Sequence, residues 1–200
     1  MKEERLKGAM PMGVVEGSLM PDTYHFHKGD SRQSVVDRMQ QPMKQALAEL
    51  WQQRQSGLPF KTKEEALVLA SIVEKETGVD QERGRVAAIF INRLRKNMLL
   101  QSDPTVVYGI ELENGPMERQ LLKKDLAIDH PFNTYVHAGL PPAPIANPGR
   151  ASIQAVLNPP KTDEYYFVAT GRGGHYFSKT LAEHNRNVAR YRAELRRQKQ

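Results

Sequence analysis

The sequence contains no cysteine. That excludes disulfides, thiolate metal sites and a cysteine nucleophile, while oxidising compartments also hold cysteine-free proteins, so the compartment stays open. Long apolar runs are missing too: the longest is Ala66 to Val73, with Ser71 inside it. A spanning helix needs about 20 apolar residues, so nothing in the chain reads as a membrane span. No signal peptide is visible, because Met1 is followed by Lys-Glu-Glu-Arg with no apolar stretch behind it. There is no GxSxG, no P-loop and no GxGxxG after a strand. Gly171-Arg-Gly-Gly precedes a strand-like stretch rather than a helix, so it reads as a hairpin turn and not as a phosphate cradle.

Charge of one sign is scarce in the body of the chain. The net charge is +6, and the whole excess lies between Arg172 and Gln200, with eight basic and two acidic residues. Residues 1–171 are balanced. A nucleic-acid reader carries a basic face with interleaved aromatics over its recognition surface. A solvated basic terminal helix is expected instead, with no nucleic acid as partner. At 200 residues, 39% hydrophobic and 26% charged, the chain is long and apolar enough to bury a sizeable core.

The hydrophobic spacing predicts an α+β domain dominated by helices. Residues 1–13 read as a ragged lead-in, the start of a piece cut from a longer chain. Val14 to Phe26 reads as short extended pieces around Pro21-Asp22. A helix is expected over 32–55, capped by Asp30 or Ser31, with a kink or break at Pro42. A second begins at the capping box Thr62–Glu65 and stops at Gly78. A third covers 81–96. Gln101 to Thr105 reads as a loop, Val106 to Tyr108 as a short strand or turn, and 117–126 as weakly helical. Residues 129–150 are irregular and rich in Pro and Gly, which in a domain of this size points to function. A short helix over 151–157, a hairpin of 164–169 with 175–178, and a last helix from the capping box at Thr180 to Arg197 complete the reading.

Two carboxylates, Glu74 and Glu76, end the second helix in ASIVEKETG. On a helical wheel the apolar arc centres between Leu69 and Val73, with Ser71 and Lys75 opposite. Glu76 falls roughly 60° from that centre and Glu74 roughly 100°. Glu76 is therefore the carboxylate nearer an apolar wall, where burial raises a pKa and supplies a general acid. The same spacing suits two surface carboxylates flanking Lys75, and spacing alone favours that plainer reading. In QSDPTVVYG, Gln101, Asp103, Thr105 and Tyr108 either offer hydrogen bonds to a sugar or form a turn between elements. The loop 132–149 holds Asn133, Tyr135 and Asn147, residue types that stack on sugars and bond them directionally. His25 and His27 share a strand face but lack a third ligand, so no metal site is expected.

Seven motifs in order carry a resemblance: ASIVEKET, FINRL, QSDPTVVYG, NTY, GLPPAPIANPG, YYFVA and GGHYFSKTLAEHN, with EGSLMPDTY upstream. Together they resemble the endolytic murein transglycosylases of the YceG-like family, over nearly the whole chain from Glu16 on. The resemblance implies a helix-rich, lysozyme-like lytic-transglycosylase catalytic domain over 14–200, with small β elements and a C-terminal hairpin plus helix. It implies an inner-membrane protein whose membrane helix and LysM-like region are absent from this chain, with the domain on the periplasmic side. Implied partners are peptidoglycan glycan strands and cell-wall synthases.

By the resemblance Glu76 of the Glu76-Thr77 pair is the catalytic acid. Glu74, Thr77, Gln101, Asp103, Tyr108, Asn133, Tyr135 and Asn147 match motif positions assigned to substrate binding. The implied reaction cuts the MurNAc–GlcNAc bond, leaves 1,6-anhydroMurNAc ends and terminates glycan elongation, with no cofactor. A muramidase hydrolase is the nearest competing enzyme and would need Asp103 as second carboxylate. A non-catalytic peptidoglycan-binding scaffold is the alternative outside enzymology. An aminodeoxychorismate lyase label attached to the family needs pyridoxal phosphate and a phosphate cradle, which the sequence does not offer.

Overall fold

The structure is a computed structural model that describes residue 9 and residues 11–198. Most of the lead-in expected over 1–13 lies outside them. The described residues form six α-helices, a 3-10 turn and one two-stranded sheet, in agreement with the α+β expectation. The helices are α1 (Arg32–Gln52), α2 (Lys63–Glu76), α3 (Asp80–Arg95), α4 (Asp103–Asn114), α5 (Arg150–Leu157) and α6 (Leu181–Arg197). Strands β1 (Tyr166–Ala169) and β2 (His175–Ser178) pair antiparallel, with Phe167 opposite Phe177.

Helix α1 starts where the Ser31 side chain accepts a hydrogen bond from the Ser34 N–H. It runs through Pro42 as one element, without the expected break, and buries Met43, Ala46, Leu47 and Leu50. Thr62 caps α2 through the Glu65 N–H, but the Glu65 carboxylate accepts from the Lys61 N–H, so the expected box closes one residue early. The box at the start of α6 is complete between Thr180 and Glu183.

Helix α2 is the centre of the molecule and packs on α1, α3, α4 and α5. Its Leu69, Ile72 and Val73 meet Phe90 and Ile91 of α3 and Ile153, Val156 and Leu157 of α5 in one core. This corrects the wheel in one respect. Ser71, expected on the solvent side, is fully buried; it donates to the Val68 carbonyl and accepts from the Ile145 N–H at 2.9 Å. The proline-rich segment lies over that face of α2, and a hydroxyl there satisfies a backbone donor that would otherwise be orphaned.

Three further expectations differ from the structure. Asp103 to Asn114 is helix, not loop and strand, with a proline in its first turn where a missing N–H costs nothing. The weak helix expected over 117–126 shrinks to the turn Asp125–Ala127. The extended pieces expected over Val14 to Phe26 are turns and irregular chain with no strand pairing.

The hairpin needs its glycines: Gly171, Gly173 and Gly174 all have positive φ, and a Cβ on Gly174 would stand 2.8 Å from Glu82 Oε1. The hairpin is fastened to α3. His175 Nδ1 and Glu82 lie 2.7 Å apart, Arg85 grips Glu164 through two nitrogens, and Asn92 donates to the Thr162 and Glu164 carbonyls. Helix α6 packs across both strands. The hairpin and α6 therefore face the end of α2 across a cleft.

Candidate active site

Glu76 is the last helical residue of α2. The chain leaves the helix at Thr77 in an extended conformation, fixed by a bond from the Val79 N–H to the buried Thr77 Oγ1 at 3.0 Å. This abrupt end presents Glu76 to a cleft of about 400 Å³. Gln101, Asp103 and Tyr135 share the Glu76 side, Tyr166, Phe167 and His184 come from the hairpin and α6, and Arg93 and Leu100 also line the cleft. The chain turns into α4 at Gln101, which takes the left-handed φ of +53°.

Ser102, buried at the start of α4, donates to Glu76 Oε1 at 2.5 Å. Among the described residues Oε2 has no hydrogen-bond partner. Burial strips water from the Glu76 carboxyl and pushes its pKa up to about 7. The Asp103 carboxylate adds to that rise, while the Ser102 hydroxyl and the Arg93 guanidinium oppose it. Near neutral pH the group is thus divided between acid and carboxylate, the condition of a side chain that first gives and then takes a proton.

The groups around it are fixed. Asp103 Oδ1 accepts from the Tyr135 hydroxyl at 2.5 Å. Burial and that bond push the Tyr135 pKa up, so the phenol stays neutral. Arg93, 7% exposed, donates to the carbonyls of Tyr165, Leu99 and Leu100, which join β1, α3 and the α4 entrance in one frame. His184 stacks on Tyr166 at 5.3 Å, and burial with the nearby Arg93 lowers its pKa, which keeps the ring neutral.

Of the residues singled out in the sequence, Glu76, Gln101, Asp103 and Tyr135 meet in the cleft. The other six do not line it, and each has a structural engagement elsewhere. Glu74 Oε2 accepts from the Gly149 N–H and the Ser152 hydroxyl and so pins the start of α5. Thr77 holds the chain reversal after α2. Asn133 is buried, donates to the Leu126 and Ile128 carbonyls and accepts from the Tyr135 N–H, which sets the loop that carries Tyr135. Asn147 accepts from the Leu19 N–H and ties the upstream segment to the proline-rich one. Tyr108 packs on Phe132 at 4.8 Å beside a neighbouring cavity. Thr105 is buried against Thr134 at 2.8 Å.

Sequence reasoning passed over Ser102, Arg93, Tyr166 and His184. Ser102 stands in the QSDPTVVYG motif, between Gln101 and Asp103. Arg93 carried a signal of a different kind: it follows Phe90 and Ile91 on the inner stripe of α3, where a charge has to find buried partners.

The YceG-like family profile matches residues 2–190. The endolytic murein transglycosylase of Bacillus subtilis (strain 168) is 40% identical over 178 residues, which is 88% of this chain and 48% of that protein. The endolytic murein transglycosylase of Streptococcus pneumoniae serotype 2 (strain D39) is 34% identical over 185 residues, 88% of this chain and 32% of that one. The chain therefore spans about half the length of the first relative and about a third of the second. The crystal structure of a YceG-like protein from Listeria monocytogenes matches with a TM-score of 0.71 at 40% identity, over 85% of this chain and 54% of that one. Motif order, fold and profile agree, and the chain belongs to the YceG-like family.

Proposed function

We propose that this domain cuts the MurNAc–GlcNAc bond within peptidoglycan strands as a lytic transglycosylase, with Glu76 as acid and then base. The observation that carries the reading is the state of Glu76: one oxygen held by Ser102, the other unbonded, and a pKa near 7 in a cleft wide enough for sugar. The relatives' names, endolytic murein transglycosylase, supply the substrate class.

In this reading Oε2 of Glu76 carries the proton. It passes to the glycosidic oxygen, the bond from that oxygen to the MurNAc anomeric carbon breaks, and positive charge develops on that carbon. Asp103 lends negative charge to the same cleft. Glu76, now a carboxylate, takes the proton from the C6 hydroxyl of the same sugar. O6 closes on the anomeric carbon, the 1,6-anhydro ring forms and Glu76 is protonated again. No water enters the balance, so no second carboxylate is needed to activate one. The engagement of Asp103 with the Tyr135 hydroxyl suits a positioning role better than that of a free base.

Gln101, Asp103 and Tyr135 are assigned to sugar contact, with Tyr166 offering a ring face. Termination of glycan growth, cell-wall synthase partners and an inner-membrane setting with the domain on the outer side belong to the same proposal. Among the described residues no helix is long and apolar enough to cross a membrane.

Digestion of purified peptidoglycan tests the reading. The chain is expected to release soluble glycan, and Glu76→Gln to release none while still binding sacculi. A wild-type chain that binds without cutting supports a scaffold module instead.

A further inference from the structure

A neighbouring cavity, of about 290 Å³, shares the lining residue Asp103 with the cleft. Its walls are Lys75 of α2, Pro104, Val107, Tyr108 and Glu111 of α4, and the apolar side chains of Leu121 and Ile145. The two carboxylates at its edge are already engaged. Asp103 accepts from Tyr135, and Glu111 Oε1 accepts from the Met117 N–H at 3.1 Å. Lys75 is different: among the described residues it has neither an ion pair nor a hydrogen bond, and it is exposed one position before Glu76.

We propose that this cavity seats the peptide stem of the murein strand, with the Lys75 ammonium pairing to a stem carboxylate. The inference rests on the proposed cutting of peptidoglycan. A sugar chain presents hydroxyl and acetamido groups and has no use for an uncommitted cation beside an aliphatic wall. The stem that each MurNAc carries on its lactyl group is a short peptide of methyl side chains, free carboxylates and, in its third residue, an amine. The cavity offers a counterpart for two of these: Val107, Leu121 and Ile145 for the methyls, and Lys75 for a carboxylate. Because Asp103 lines both cavities, a strand with its bond at Glu76 has a stem seat beside the glycan path.

Two measurements test this, one of them independent of cutting. The first titrates the synthetic stem L-Ala-γ-D-Glu-L-Lys-D-Ala into the chain and follows backbone amide shifts by NMR. Shifts are expected at Val107, Tyr108 and Leu121. Affinity should weaken about tenfold in Lys75→Gln and stay within about threefold in Lys75→Arg, as expected for one charge-assisted pair. The second compares kcat/KM on glycan strands with intact stems and on the same strands stripped of stems by an amidase, with the freed lactyl carboxylates capped as methyl amides. The Lys75→Gln loss should be about tenfold greater on the stemmed strands. No shifts at millimolar peptide, or equal losses on both substrates, overturns the proposal while leaving the cutting reading intact. Peptide binding that depends on Lys75, in a chain that cuts neither substrate, keeps the stem site and sinks the cutting reading.

Discussion

Ser102 Oγ and Glu76 Oε1 lie 2.5 Å apart and join the N-cap of α4 to the last residue of α2. The bond fixes one carboxyl oxygen of a residue that lines the cleft and leaves the other, among the described residues, without a hydrogen-bond partner. It also favours the charged form of Glu76, against burial. Ser102→Ala should therefore move the Glu76 pKa further up, and the alkaline limb of the pH profile of kcat/KM should shift to higher pH. At the same time kcat should fall about tenfold, because the acid loses its fixed orientation. The pH dependence of glycan cutting checks both, and an alkaline limb that moves down contradicts this role for the bond.

Glu76 also links stability to pH. Its pKa is about 7 in the folded chain against 4.5 in the unfolded one. The native state holds the proton more tightly, so the stabilisation is complete below pH 4.5 and is lost as pH rises through about 7. The loss is at most about 3 kcal/mol. Glu76→Gln avoids it. Urea unfolding should find the variant as stable as wild type near pH 4.5 and more stable at pH 8. A variant less stable than wild type at pH 8 speaks against a buried, pKa-raised Glu76.

Asp103 separates the transglycosylase from a hydrolase. Its charge pushes the Glu76 pKa up, so Asp103→Asn should bring the alkaline limb to lower pH. An Asn side chain still accepts from the Tyr135 hydroxyl, so the wall keeps its shape. Cutting should persist within about a hundredfold of wild type, with the same kind of product ends. Complete loss of cutting in Asp103→Asn points to a second catalytic carboxylate.

Glu74→Ala leaves the Gly149 N–H and the Ser152 hydroxyl without their acceptor. The cost is about 2–3 kcal/mol of stability, since both donors stand in a largely buried site. Thermal unfolding should report a lower Tm, while kcat/KM well below that temperature falls far less than in Glu76→Gln. A loss of cutting equal to that of Glu76→Gln, in a folded protein, would give Glu74 a direct part in the chemistry.

These residues also show how far the sequence reaches. The helical wheel singled out Glu76 because α2 has an apolar arc and a definite end. It misjudged Ser71, since the cover over that face of α2 comes from the proline-rich segment some seventy residues on, which leaves no mark in local periodicity. Helix α4 was hidden by Thr105, Val106 and Val107, a β-branched run that mimics a strand; Pro104 in its first turn was the signal against it. Gln101, Asp103 and Tyr135 reach the cleft from the motifs that named them. Glu74, Asn133 and Asn147 sit in equally strong motifs but hold backbone, because a motif marks a residue as constrained without saying by what. Ser102 and Arg93 acquire their roles only when α2, α3 and α4 converge.

The proposed reaction turns on Glu76 closing O6 of MurNAc onto that sugar's own anomeric carbon without water. Mass spectrometry of the ends released from purified peptidoglycan, by the chain and by Glu76→Gln, tests it directly. Anhydro ends, lighter than reducing ends by one water, are expected from the wild-type chain and none from the variant. Reducing ends from the wild-type chain would contradict it.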